Sequence, residues 1–145
     1  KFDMTIIFSH LLIQTVLQIE YWNQFNIILQ SVLSGDNEAN MLALNSYTEM
    51  VINYPEELAQ IHFQTLSTST SEQERTLILI LIGRYFAFQN DILLSGEASL
   101  KIQNSLLSIF QSQNLSPNDF NILSNDIVIA INYFKGCFFL IYMSI

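Results

Sequence analysis

Six aliphatic residues in a row, Leu77 to Ile82, decide what this chain can fold into. Taken alone, L-I-L-I-L-I has real force as a strand, because β-branched residues alternate through it. What precedes it favours a helix. Ser71-Glu72-Gln73-Glu74 is a capping box, in which the Ser71 hydroxyl can accept from the amide three residues on. No turn residue follows until Gly83. The run is therefore assigned to a helix over Glu72–Phe88, apolar all round and so covered by neighbours on both sides.

The flanking chain is punctuated in the same way. Ser34-Gly35-Asp36-Asn37-Glu38 ends one helix with Gly and starts another with Asp or Asn, whose side-chain oxygens can accept unpaired first-turn amides. Pro55 sits where its missing N–H is harmless, and Glu56 and Glu57 follow at the positive end of the helix dipole. Ser116-Pro117-Asn118-Asp119 repeats that start signal.

These breaks place the helices. Met4–Glu20 is dense in apolar residues and reads as a mostly buried helix, although its Ile and Val content also suits a strand. Trp22, Phe25, Ile28, Leu29, Val32 and Leu33 trace one stripe of a helix over Tyr21–Leu33. Asn37–Asn53 carries Met41, Leu44, Tyr47, Thr48, Val51 and Ile52 on one face, and Pro55–Leu66 uses Leu58, Ile61, His62 and Thr65. Ser67–Thr70 is a polar loop. Ser95-Gly96 precedes a helix over Glu97–Gln113 with Leu100, Ile102, Leu106, Leu107, Ile109 and Phe110 buried. The last helix runs from Pro117 through Ile122, Ile127, Ile131 and Phe134 to Gly136, and 135–145 is an apolar tail.

Half of the 145 residues are hydrophobic and only 12% are charged, which suffices for a substantial core. Thirteen acidic against five basic residues give a net charge of -8, which argues against a binder of nucleic-acid phosphates. The single Cys137 excludes an internal disulfide framework. Met4–Trp22 is interrupted by His10, Gln14, Gln18 and Glu20, and the other apolar runs fall short of the roughly 20 residues that span a bilayer. The chain begins with Lys1 rather than Met, so a piece of a longer or processed protein is expected.

No GxxxxGK[ST], GxGxxG, HExxH, CxxC or GxSxG occurs. His10 and His62 stand alone on apolar faces, as packed histidines do, and Cys137 lies among aromatics like a small buried hydrophobe. Ser69–Ser71 are explained by capping, and Glu56/Glu57 and Glu72/Glu74 by the helix dipole. The expectation is a non-enzyme with no cofactor and no metal.

The helices pair as hairpins over about 21–53, 55–89 and 97–134, behind an atypical helix at 1–20. Second-helix starts near 37, 72 and 117 give spacings of the order of stacked helical repeats. The expected fold is all-α, an α-α superhelix: a HEAT/armadillo-like solenoid of antiparallel helix pairs, about three repeats long. Leu33-Ser34-Gly35-Asp36-Asn37-Glu38, Tyr54-Pro55-Glu56-Glu57-Leu58, and Glu74-Arg75 followed by Leu81-Ile82-Gly83-Arg84 resemble the N-terminal region of the importin-β (karyopherin-β) nuclear transport receptors. Lys101-Ile102-Gln103 to Leu107 looks like that family's next repeat. Asn40, Leu44 and Gly83 depart from the Arg, acid and base common there.

The resemblance implies a protein-binding scaffold of cytoplasm and nucleus, with the small GTPase Ran, nucleoporins and cargo as partners. It makes Glu38, Glu49, Glu72 and Glu74 candidate contacts to basic Ran surface, each of which is also a plain solvated helix position. The alternatives are another HEAT or armadillo scaffold, of coat, phosphatase-scaffold or chromosome-complex type, and a membrane-associated helical protein. Three hairpins without polar capping repeats are expected to self-associate through their ends.

Overall fold

A computed structural model describes residues 4–88, 94–112 and 114–134. Among these the chain is all-helical: α1 Met4–Leu33, α2 Asn37–Asn53, α3 Pro55–Thr68, α4 Glu72–Ala87, α5 Gly96–Phe110 and α6 Pro117–Phe134, with no strand. The hexamer Leu77–Ile82 lies inside α4, as its capping box requires. The chain divides into two compact units, Lys1–Tyr47 and Thr48–Ile145. The tail at 135–145, with Gly136 and Cys137, lies outside the described residues.

In the first unit, Met4–Glu20 and Tyr21–Leu33 form one unbroken helix, since nothing at Tyr21 interrupts the backbone ladder. Its burial departs from expectation. Phe25, Ile28 and Leu29 are buried, but no side chain from Met4 to Gln24 is. Ile6 and Leu12 are about two-thirds exposed, at 67% and 65%. Apolar density decided that the stretch is ordered into a helix, not that anything covers it. Gly35 adopts φ +79°, the left-handed turn that a helix end favours and a side chain resists. The Asp36 carbonyl then accepts from Asn40 N–H at 2.8 Å to open α2.

The buried face of α2 is Ala43, Tyr47, Met50 and Val51, turned from the expected stripe. Met41 and Ile52 are exposed instead, at 67% and 63%. Two apolar stripes compete on this helix, and packing selects one.

The second unit is built on α4. Ser71 Oγ accepts from Glu74 N–H at 3.3 Å, Ser95 Oγ from Ala98 N–H at 3.1 Å and Ser116 Oγ from Asp119 N–H at 3.1 Å, so three helices start on a serine cap. α3 and α4 run antiparallel. The Tyr85 hydroxyl, late in α4, donates to the Pro55 carbonyl at the start of α3 at 2.8 Å. Arg75 Nη1, early in α4, donates to the Ser69 carbonyl just after α3 at 3.1 Å.

α4 and α6 lie side by side and point the same way. Thr76 meets Asp119, Gly83 meets Asp126, and Phe86 packs against Tyr133 and Phe134 with ring centroids 6.2 and 5.8 Å apart. The first two pairs share one separation, 43 residues. At the same end of the layer as Phe86, Ser95 N–H donates to Glu56 Oε1 at 2.9 Å and joins the start of α5 to α3. That bond holds the Glu56 carboxyl below its ordinary pKa.

All four expected core positions of α3, Leu58, Ile61, His62 and Thr65, are buried. α4 buries Ile78, Leu79, Leu81, Ile82, Tyr85 and Phe86, but Ile80 is half exposed at 50%, so the helix is not covered all round as expected. α5 buries Ala98, Ile102, Gln103 and Leu106, while Leu100 turns outward.

Candidate functional site

Two carboxyl groups of α6 face α4, and the helix geometry places both on one stripe. Asp119 and Asp126 are seven residues apart, two turns, and are 3% and 4% exposed. Asp119 is satisfied: it accepts from the Thr76 hydroxyl at 2.6 Å. Asp126 is not, since its Oδ2 is buried with no hydrogen-bond partner. Its side chain fits only because α4 has a glycine opposite. A Cβ on Gly83 would collide with Asp126 Oδ1. Burial without a counter-charge raises the Asp126 carboxyl to about 8, so the neutral acid dominates at neutral pH.

Gly83→Ala should therefore destabilise the fold by about 1–2 kcal/mol, even though Ala is the better helix former by roughly 1 kcal/mol. Urea unfolding checks this. The same substitution in an Asp126→Ala background should be neutral or stabilising, because the clash is gone.

At the opposite end of α4, the last turns of α3 and α5 and the first turns of α4 and α6 enclose a cleft of about 500 Å³. Phe63 and Leu66 give it apolar walls, and Arg75 and Asp119 are its two ionisable side chains. That volume is in the range of small-ligand sites.

The four acidic positions picked out in the sequence are not gathered into one site. Glu38 is exposed in the first turn of α2, and Glu49 is exposed further along the same helix. Glu72, exposed, and Glu74, half-buried, share the first turn of α4. Only this last pair forms a local acidic edge. His62 is 1% exposed and packs edge-on to Tyr85 at 5.5 Å; burial drops its pKa to about 3, so it is a neutral core group. His10 is on the exposed part of α1, within 3.2 Å of Gln14 Nε2.

No group of three or more metal-ligating side chains occurs among the described residues. No described helix is long and apolar enough to cross a membrane. Sequence reading missed Asp126 and the cleft. Asp126 carries no local mark, and the cleft is assembled from four helix ends. No family model, curated protein or solved structure matches the chain.

Proposed function

We propose that this chain is a non-enzymatic protein-binding scaffold, the N-terminal part of an importin-β-like nuclear transport receptor that binds the small GTPase Ran and works in cytoplasm and nucleus. The observation that carries the scaffold reading is the 43-residue offset that pairs Thr76 with Asp119 and Gly83 with Asp126. An antiparallel α3/α4 pair, with α6 laid parallel to α4 one repeat later, is how helical hairpins stack, and HEAT units are about 40–47 residues long. Continued stacking makes a solenoid whose broad faces suit proteins rather than small substrates.

Fold alone does not select a partner. Ran, nucleoporins and cargo are supported by the resemblance of Leu33–Glu38, Tyr54–Leu58 and Glu74–Arg84, and Glu38, Glu49, Glu72 and Glu74 are the acidic groups offered to a basic partner surface. Pull-down with immobilised Ran tests the assignment. GTP-loaded Ran should retain the chain and GDP-loaded Ran should not. Equal retention, or none in either state, removes the transport reading and leaves the general scaffold.

A further inference from the structure

The cleft at the α3/α4 and α5/α6 ends holds a cation that has no carboxylate partner among the described residues. Arg75, Arg84 and Lys101 are the basic residues among those described. Lys101 is 3.6 Å from Glu97, and the Arg84 guanidinium lies 5.8 Å from the centre of the Phe88 ring. Arg75 is half-buried, lines the cleft, and donates from Nη1 to the Ser69 carbonyl. No ion pair to it exists among the described residues, in a chain with thirteen acidic side chains. Asp119 lines the same cleft but is tied to Thr76 rather than to Arg75.

A guanidinium carries five donors in a planar fork that matches a carboxylate, and one backbone carbonyl leaves most of them free. Asp119 shares the wall and accepts from the Thr76 hydroxyl, so among the described lining residues Arg75 is the one group a carboxylate can pair with, and a second carboxylate finds no partner there. Phe63 and Leu66, both half-buried, offer an apolar surface beside the guanidinium, and Ser108 and Ser112 line the polar side.

We infer that this cleft is a docking site for a partner peptide that presents a single carboxylate beside a bulky apolar side chain, with the carboxylate on Arg75 and the apolar group against Phe63 and Leu66. This rests on the protein-binding reading above, but not on Ran.

Titrating the full 145-residue chain with acetyl-glycyl-phenylalanyl-glutamyl-leucyl-glycine amide, followed by ¹H–¹⁵N NMR, tests the site. The amide signals of Ser69, Ser112 and Asp119 should shift and saturate. The glutaminyl counterpart should bind about tenfold more weakly. Arg75→Gln should weaken the glutamyl peptide by a similar factor, and Ser108→Trp, which fills the cleft from an exposed position, should abolish the shifts while the circular dichroism stays native.

A peptide with the same apolar residues and a free C-terminal carboxylate as its only acid separates the two sources of that group; its binding supports the site and identifies a chain terminus as the ligand. No shifts with any carboxylate peptide, equal binding of the glutaminyl peptide, or tighter binding of a phosphoseryl peptide would overturn the assignment. Because Ran is absent from the titration, failure here leaves the pull-down result standing, and the reverse also holds.

Discussion

Leu79→Pro should abolish the fold of the second unit, with a large loss of helical circular dichroism at 222 nm. Leu79 is fully buried in the middle of α4, the helix that packs against both α3 and α6. Proline there removes an i→i−4 hydrogen bond and clashes with the preceding turn, which costs about 3 kcal/mol or more. Losing the buried leucine adds about 2–5 kcal/mol. Together these approach the whole stability of an ordinary domain, about 5–15 kcal/mol. Ile80→Ala, one residue on at a half-exposed position, should change stability by only about 0.5–1 kcal/mol. A Leu79→Pro variant that keeps native helical content would show that α4 is not the central element.

Asp126→Asn should stabilise the protein increasingly as pH rises from 5 to 8. The sign follows from proton binding. An unfolded Asp titrates near 3.8 and the folded one near 8, so the folded state holds the extra proton between those values. Stability from the neutral, buried acid is fully present below about pH 4 and is lost as pH climbs toward 8. At 1.36 kcal/mol per unit, the loss from pH 5 to pH 8 is about 3–4 kcal/mol.

Asparagine has the shape of the protonated acid but cannot ionise. Urea midpoints should therefore be similar for the two proteins at pH 4 and diverge above it. Glu56 moves oppositely: its lowered pKa, set by the bond from Ser95, gives stability that disappears as pH falls through the folded value. The difference between variant and parent isolates Asp126, and a difference that is flat with pH would mean the carboxylate is already charged in the fold.

Helix positions were legible because their signals are local. Gly35, Pro55, Ser71 and Pro117 each act within one turn of themselves, and α2 spans Asn37–Asn53 as its flanking breaks specify. The core of α3 was legible too, since its short apolar stripe has only one face to offer. α2 was not: Met41 and Leu44 compete with Ala43 and Met50 for the same core, and one-dimensional periodicity cannot say which face has a neighbour.

The sequence by itself determined that the described residues are helical and where their helices start. Only tertiary structure decided that the apolar first turns of α1 stand uncovered, that Asp126 is enclosed opposite Gly83, and that Arg75 faces a cleft. Caps and breakers act through bonds a few residues long. The enclosure of a carboxyl depends on atoms brought in from 43 residues away, as Gly83 is to Asp126.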